Sequence, residues 1–265
     1  MLHKSLDPSK VLIAVVAIAV GALVVTRPAL VSVADHEAKA VTTQAARTAA
    51  QAPATNVQTH KTGQPKGVDL SHYQSTVDWA KAKADGLAFA YSKASEGNSY
   101  VDKSFARHRA GAAKQGVPFG AYHFYRPNDD PKTQAEHFLK TVGDTQGDLL
   151  PALDLEIAPN SSESASYKAS VLVWLNHVEA ATGCKPVVYA SPAFWRAHLG
   201  ADLAGYPFWL AEYSSVPKPP KTAPAWTFWQ HSEKGRIAGI KGLVDLDVAA
   251  SYDALANSIC GANKT

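Results

Sequence analysis

Short strand-like runs alternate with helix-like segments along most of this chain, and the alternation stops near residue 207. Five runs rich in β-branched and aromatic residues are each followed by a helical segment, whereas three later runs are separated by proline and glycine without one. Alternating strands and helices predict a parallel sheet with right-handed crossovers. The pattern therefore predicts an α/β fold, a TIM-like (β/α)5β3 barrel in a single domain over residues 66–265. The strand-like runs are 67–73, 87–93, 118–125, 150–157, 186–190, 207–213, 226–230 and 243–247.

Residues 1–34 have the pattern of a targeting segment. Lys4 and Lys10 precede an unbroken run of apolar residues and glycine at 11–25. This pattern predicts an export signal, so we expect the remainder to work outside the cytoplasmic membrane, in the periplasm or extracellular space. Two outcomes stay open: cleavage after the small residues 32–34, or retention of residues 11–25 as an inner-membrane anchor. Residues 35–65, rich in alanine, threonine and glutamine, predict a flexible linker.

The composition is that of a folded globular protein with no case for nucleic-acid binding. Hydrophobic residues make up 46%, charged residues 18%, and the net charge is only +3, without a basic run interleaved with aromatics. The cysteines Cys184 and Cys260 lack metal-ligand spacing, so we expect no metal site and no cofactor. They form either one disulfide or two unlinked thiols. We expect a monomer.

Two acidic side chains interrupt the otherwise apolar run 150–157. These are Asp154 and Glu156, which the period of two of a β-strand sends to the same side. Burying an unpaired charge costs several kcal/mol, so carboxylates in such a strand are normally paired or placed at a cleft. The pair therefore indicates a functional site at the end of this strand.

Other strand ends add further polar groups to the same mouth, because the functional groups of a parallel barrel gather at the C-terminal ends of its strands. This rule adds Asp69 from the first strand and Asp245 from the last. Asp247 points to the same side as Asp245, and we prefer Asp245 as the residue that faces the site. The residues predicted to contact substrate are Tyr122, Tyr125, Tyr189, Trp229 and Gln230. Core positions are predicted for His123, Trp195, Trp209 and Trp226.

Carboxylates with aromatic walls favour sugar chemistry. Aromatic faces stack on pyranose rings, and a pair of carboxyl groups can supply proton transfer and stabilise a positively charged transition state. Like charges a few Å apart raise one pKa, which keeps one acid neutral beside an ionised neighbour. A serine or cysteine nucleophile is disfavoured, because the sequence has no G-x-S-x-G motif and neither cysteine lies at a predicted strand end.

Eight sequence segments, one from almost every predicted strand, resemble the glycoside hydrolase family 25 lysozymes. The resemblance runs from about residue 66 to 252 and implies the (β/α)5β3 barrel of that family. It also implies N-acetylmuramidase activity, the hydrolysis of the β-1,4 bond between N-acetylmuramic acid and N-acetylglucosamine in the glycan strands of peptidoglycan. The matching segments are GVDLSHYQ at 67–74, ASEG at 94–97, GAYHFYRP at 120–127, ALDLE at 152–156, VYASP at 188–192, FWLAEY at 208–213, WQHS at 229–232 and GIKGLVDLD at 239–247.

By the same resemblance, Glu156 would be the general acid that protonates the leaving oxygen. Asp154 would assist, either by orienting the 2-acetamido group of the substrate for internal attack or by activating water. Asp69 and Asp245 would line the site and stabilise positive charge. The chain departs from the family pattern at Asp247, where asparagine is common, and at Ala249, where an aromatic residue is frequent.

Two other functions are compatible with parts of this pattern. A wall-binding barrel without turnover would keep the fold, but the four intact carboxylates argue against it. A chitinase-like glycosidase would carry a longer D-x-x-D-x-D-x-E run, and here Leu149 and Ala152 occupy the preceding aspartate positions.

Overall fold

The computed structural model describes residues 63–262. The predicted targeting segment 1–34 lies outside the described residues, and so does nearly all of the predicted linker 35–65. No helix within residues 63–262 is long and apolar enough to cross a membrane. The strands are β1 Lys66–Leu70, β2 Leu87–Glu96, β3 Tyr100–Val101, β4 Phe119–Phe124, β5 Ala152–Asp154, β6 Val187–Ala190, β7 Phe208–Ala211, β8 Trp226–Gly235 and β9 Val244–Ala249. The α-helices are α1 Trp79–Ala84, α2 Phe105–Gln115, α3 Pro131–Val142, α4 Tyr167–Thr182, α5 Pro192–Phe194 and α6 Tyr252–Asn257.

Eight of these strands close into a barrel, in the order β1, β2, β4, β5, β6, β7, β8 and β9, with β9 returning to β1. The short strand β3 pairs antiparallel with the end of β2 and lies outside this ring. Helices α1 to α4 follow β1, β2, β4 and β5, whereas β6 is followed by α5 and two short helical turns, at Trp195–Leu199 and Gly200–Leu203. The predicted (β/α)5β3 barrel is confirmed. The C-terminal helix α6 was not predicted.

The last strand runs against the direction that the parallel pattern predicts. Strand β9 pairs antiparallel with both β8 and β1, whereas the other neighbouring pairs around the barrel are parallel. The start of β9 therefore lies at the barrel mouth, where the other strands end. Asp245, the second residue of β9, reaches the mouth because of this reversal and not because it ends a parallel strand.

Helix boundaries follow ordinary capping chemistry. Asp130 accepts a hydrogen bond from the Thr133 backbone nitrogen at 2.8 Å, and Pro131 occupies the first turn of α3, where a missing N–H costs nothing. Helix α4 ends at Gly183, whose φ of 69° is the left-handed conformation that glycine adopts without steric cost. These signals fix where α3 begins and where α4 ends.

Aromatic side chains fill the barrel interior beneath the mouth. Tyr91 packs against Trp209 with ring centroids 4.7 Å apart, and Phe228 lies 5.4 Å from Tyr91. Glycine on the neighbouring strands makes the room for these rings, since a Cβ at Gly120 would lie 2.3 Å from the Tyr91 ring. The barrel interior is therefore a packed core and not a pore.

A second apolar layer lies between the strands and the helices. Trp174 on α4 is fully buried there and packs against Phe138 of α3 and stacks on His123, with ring centroids 5.3 and 5.6 Å away. His123 bonds to Ser95 and Gln134, at 2.8 and 3.1 Å, which confirms its predicted core position. Trp195 and Trp209 are also buried, as predicted, and Trp226 is half-buried against the outer layer.

Candidate active site

Strand β5 delivers the two central carboxylates. Asp154 is its last residue and is 6% exposed, and Glu156 follows two positions later at the solvent-exposed rim. The backbone stays extended beyond β5, because Leu155 N donates to the Tyr189 carbonyl at 3.0 Å. Leu153 and Leu155 are fully buried in the outer layer. The period of two therefore sends Asp154 and Glu156 to the inner side, as the sequence predicts.

Asp69 and Asp245 meet across the junction of β1 and β9. They are direct register partners in this antiparallel pair, and on the same two strands Gly67 faces Asp247. Directly opposed residues in an antiparallel ladder have Cβ atoms about 4.5–5.5 Å apart. Two like charges at such a distance repel, so the site must hold a proton or a donor between them.

Gln230, on β8, is a donor to one of these two carboxyl groups, Asp69. Its Nε2 donates to Asp69 Oδ2 at 2.7 Å, while its Oε1 accepts from the hydroxyls of Tyr189 and Tyr213, both at 2.9 Å. These contacts fix the amide orientation, because the oxygen faces two hydroxyl donors and the nitrogen faces a carboxylate. Gln230 is 3% exposed, so the structure places it behind Asp69 as a support and not on the open surface of the mouth.

Burial raises the pKa of the Asp69 carboxyl to about 8, and the charge of Asp245 adds to the rise, while the hydrogen bonds from Gln230 and Asp247 oppose it. Burial also raises the pKa of Asp245 to about 6, with Glu233 and Glu156 contributing and the hydrogen bond with Asp69 opposing. Both groups therefore hold their protons at a higher pH than an ordinary aspartate.

The pKa values of Asp154 and Glu156 are shifted in the same direction as those of Asp69 and Asp245. Burial raises the pKa of Asp154 well above its usual range, and the charges of Glu156 and Asp69 add to this. Burial also raises the pKa of Glu156, but less strongly, because solvent reaches this residue and because Tyr189, Asp154 and the Lys93 ammonium favour its ionised form. Both carboxyl groups thus hold their protons at a higher pH than ordinary acidic side chains do.

Asp247 lies deeper than Asp245, which agrees with the sequence preference for Asp245 at the mouth. Asp247 is 1% exposed and accepts a hydrogen bond from Trp209 Nε1 at 2.8 Å, whereas Asp245 is half-buried. Burial, followed by the charge of Asp69, raises the pKa of Asp247 well above its usual range. Asp247 therefore forms the floor of the acidic site.

The structure brings only some of the predicted aromatics to this mouth. Tyr189 donates a hydrogen bond to Gln230. Tyr122 is half-buried, and burial, followed by the nearby charges of Asp69 and Asp154, raises its pKa. Tyr125 is instead 1% exposed and packs against Tyr167 of α4 in the outer layer. It lies three residues after Tyr122, and an odd separation along a strand reverses the face.

Trp229 is likewise not placed on a sugar-binding surface. It is 8% exposed, packs in the outer layer near Trp226, and donates from Nε1 to the Glu212 carbonyl at 2.8 Å. Its neighbour Gln230 faces the interior, and adjacent residues of a strand point to opposite faces. Because Gln230 faces the interior, Trp229 faces the outer layer, and its predicted contact with substrate is not supported.

Two residues at the mouth were not predicted from the sequence. Lys93, on β2, is 9% exposed, and its Nζ lies 4.4 Å from the centre of the Phe124 ring while it pairs with Glu96. It is the cation that favours ionisation of Asp154 and Glu156. Tyr213 follows β7, is 56% exposed, and bonds to Gln230. The strand-end rule finds Lys93 if cations are considered as well as acids.

Cys184 and Cys260 form a disulfide, with Cα atoms 5.6 Å apart, which decides between the two alternatives. The bridge lies at the opposite end of the barrel from the carboxylates, where Leu150 N donates to the Ser258 carbonyl at 2.7 Å. Within residues 63–262, no group of three His, Cys, Asp or Glu side chains has a metal-binding arrangement.

Comparison with known proteins agrees with this geometry. The family model described as "Glycosyl hydrolases family 25" matches residues 68–240, most of the barrel. The chain belongs to glycosyl hydrolase family 25. Family 25 relatives include the Lysozyme M1 of Streptomyces globisporus, 36% identical over 211 residues, covering 73% of this chain and 71% of that protein. YegX of Escherichia coli (strain K12), named as an uncharacterized protein, is 38% identical over 187 residues, covering 69% of this chain and 68% of its own.

Among solved structures, this family 25 barrel is similar to a bacterial lysozyme from Streptomyces coelicolor. The TM-score is 0.71 at 31% identity, covering 76% of this chain and all of the other (100%). A family 25 glycosyl hydrolase from Bacillus anthracis is similar with a TM-score of 0.64 at 28% identity, covering 70% and 88% of the two chains.

Proposed function

We propose that this chain is a peptidoglycan hydrolase, an N-acetylmuramidase that cleaves the β-1,4 bond between N-acetylmuramic acid and N-acetylglucosamine. The observation that carries the proposal is the meeting of Asp154 and Glu156 with Asp69 and Asp245 at one barrel mouth. Membership of a family whose relatives include lysozymes supports the same substrate class.

In this mechanism Glu156 is the general acid. It lies at the exposed rim, where a glycosidic oxygen can reach it, and its raised pKa, caused first by burial, keeps it protonated above the usual glutamate range. Asp154 lies deeper on the same side and assists once it is ionised. Its Oδ1 has no hydrogen-bond partner within residues 63–262, so no protein donor there competes for this oxygen.

Asp69 and Asp245 supply the remaining negative charge. Glycoside hydrolysis passes through a transition state with positive charge on the sugar ring, which carboxylates stabilise in a site of low dielectric. Gln230 keeps Asp69 in place and opposes the rise of its pKa, so it increases the ionised fraction of Asp69.

Two routes of Asp154 assistance differ in their products. Attack by the substrate acetamido group retains the anomeric configuration, whereas direct attack by water inverts it. The anomer formed at the first turnover, followed by NMR, therefore distinguishes orientation of the acetamido group by Asp154 from activation of water by it.

The decisive test is Glu156→Gln in the full-length chain. General acids contribute about 10²–10⁴-fold to rate, so we expect the release of reducing ends from purified peptidoglycan to fall by about that factor. The circular dichroism spectrum should not change, because glutamine has nearly the same size and shape as glutamate and position 156 lies at the rim of the mouth. Glu136→Gln, on the exposed side of α3, is the matched control and should retain activity. Full activity of the Glu156→Gln variant would refute the proposal.

We further propose that the protein acts outside the cytoplasmic membrane, in the periplasm or the extracellular space. The basic and apolar pattern of residues 1–25 supports this, and so does the Cys184–Cys260 disulfide, since such bonds persist mainly in oxidising compartments. Determination of the N-terminal residue of the mature protein would distinguish a cleaved signal from a retained anchor.

A further inference from the structure

A separate cavity of about 380 Å³ lies beside the acid pair. It is bounded by two turns, residues 96–100 after β2 and residues 126–129 after β4, and by Ile157. Ile157 directly follows Glu156, and consecutive Cα atoms are about 3.8 Å apart, so the cavity begins next to the general acid. The proposed mechanism gives this cavity no role.

The walls of the cavity are tied together without a ligand. Gly97 N donates to the Phe124 carbonyl at 3.2 Å, and Asn98 N donates to Asp129 Oδ2 at 3.0 Å. Arg126 Nε donates to Glu96 Oε1 at 2.7 Å, which joins the two turns directly. A binding site whose walls are already bonded to each other loses little entropy when it is occupied.

On this wall the carboxylate of Glu96 is paired with two cations, Arg126 of the wall itself and Lys93 of β2. Lys93 and Arg126 both bond to the single carboxylate of Glu96, and although burial disfavours its ionisation, these two hydrogen bonds lower the pKa of Glu96. Two cations thus share one anion. The Arg126 side chain is 45% exposed, and among residues 63–262 no acceptor bonds to its Nη1. Asp129, three residues after Arg126 on the same turn, adds a second anion to the wall.

The charge pattern indicates which part of peptidoglycan this cavity fits. The two sugar rings are uncharged, and the charged groups of the polymer lie on the peptide that is attached to the lactyl group of muramic acid. This peptide carries carboxylates, and its diamino acid carries an amino group. A guanidinium with free N–H groups recognises a carboxylate strongly and with defined geometry.

Resting on the proposed function, we propose that this cavity binds the peptide stem of the muramic acid residue, with a stem carboxylate against Arg126 and the stem amino group toward the Asp129 side. The site would make the enzyme prefer glycan strands that still carry their peptides. Arg126 is thus a specificity residue and takes no part in bond cleavage.

The test compares two substrates for each variant of the full-length chain. One is uncross-linked glycan strands that bear tripeptide stems, and the other is the same strands after an amidase has removed the peptides. For Arg126→Gln we expect kcat/KM to fall about tenfold on the peptide-bearing strands and to change less than about twofold on the bare strands. Arg126→Lys keeps the charge but not the planar geometry, so its kcat/KM on the peptide-bearing strands should lie between the values of the wild type and of Arg126→Gln.

Two further variants make the test selective. Ser99→Trp, which adds a large side chain to the cavity wall, should reproduce the selective loss by an independent route. Arg236→Gln removes an exposed arginine after β8 that does not line the cavity and should change neither rate. An equal loss on both substrates, or no loss on either, would overturn the proposal.

Equilibrium binding separates this proposal from the proposed hydrolysis. Calorimetry with a disaccharide tripeptide and with the bare disaccharide requires no turnover. About tenfold tighter binding of the tripeptide form, lost in Arg126→Gln, would support the stem site even if the wild-type protein cleaved neither polymer. Equal affinity for both disaccharides would overturn the stem site even if the wild-type protein were an active hydrolase.

Discussion

Gln230 Nε2 donates a 2.7 Å hydrogen bond to Asp69 Oδ2, across the barrel from the two carboxyl groups of β5. The same amide accepts from Tyr189 and Tyr213, so three elements of the mouth converge on one buried side chain. Any change at Gln230 therefore affects both the position and the ionisation of Asp69.

We expect Gln230→Leu to move the pH dependence of activity upward. The hydrogen bond from Gln230 lowers the pKa of Asp69, so its loss raises that pKa above its present value of about 8. If Asp69 acts as an ionised group, the acidic limb of the kcat/KM profile moves to higher pH. The buried hydroxyl of Tyr189 and the carboxylate also lose a partner, which costs about 1–3 kcal/mol of stability.

A pH profile of kcat/KM for Gln230→Leu, measured beside its thermal melting curve, checks this prediction. Gln230→Glu is the informative companion, because a second acid beside Asp69 should move the limb in the same direction and by more. An unmoved limb in both variants would show that Asp69 does not titrate in the active range.

The acidic mouth should make the protein less stable as the pH rises. Burial raises the pKa of Asp69 to about 8 and that of Asp245 to about 6, whereas aspartate in an unfolded chain titrates near about 4. The folded state therefore binds more protons between about pH 4 and 8. The stabilisation is complete below about pH 4 and is lost as the pH rises through the folded pKa values, so the free energy of unfolding falls over this range.

Asp245→Asn should weaken this dependence, because it removes a titrating group and relieves the repulsion on Asp69. At pH 8 we expect the free energy of unfolding to increase by about 0.5–2 kcal/mol, together with a loss of activity. Urea denaturation of the wild type and of Asp245→Asn at pH 5 and pH 8 measures how the free energy of unfolding of each protein depends on pH. Asp253→Asn, on the exposed first turn of α6, is the matched control and should leave the slope unchanged.

Loss of the disulfide should destabilise the fold without altering the site. The Cys184–Cys260 bond spans 76 residues, and removing a native disulfide of this kind costs about 2–5 kcal/mol. The double substitution of both cysteines by serine should lower the melting temperature but leave KM at 25 °C within about twofold of wild type. A thiol reductant should lower the melting temperature of the wild type and not that of the double variant.

Tyr213 and Trp229 should respond in opposite ways to substitution. Tyr213 is 56% exposed at the mouth, so Tyr213→Ala should raise KM several-fold with little effect on stability. Trp229 is 8% exposed in the outer layer, and Trp229→Ala should cost about 3–5 kcal/mol of stability. Steady-state kinetics and melting curves on both variants check this contrast. A rise in KM for the milder Trp229→Phe, with stability retained, would return Trp229 to the substrate surface.

The sequence was sufficient for the barrel and for the pair Asp154 and Glu156 because both depend on local rules. Strand periodicity places Asp154 and Glu156 on one face, and the break in alternation after 207 predicts the strands that lack helices. The same rule, applied strictly, also excludes Tyr125 and Trp229, since each lies an odd number of residues from an inward neighbour. The direction of β9 could not be predicted, because the alternating pattern of its six residues is the same for a parallel and for an antiparallel strand.

The remaining features of the site, the contacts of Lys93 and Gln230, depend on residues that are far apart in the sequence. Lys93 influences the acid pair through space from another strand, and Gln230 finds Asp69 only when β8 and β1 are brought to the same end of the barrel. No spacing along the chain specifies either contact.

The pairing of β9 with β1 joins the last strand of the folded region to its first. Asp69 and Asp245 can therefore meet only after almost the entire barrel has been synthesised. A nascent chain that lacks β9 consequently lacks one of the four carboxylates of the mouth. The acidic site is thus among the last features of the barrel to form.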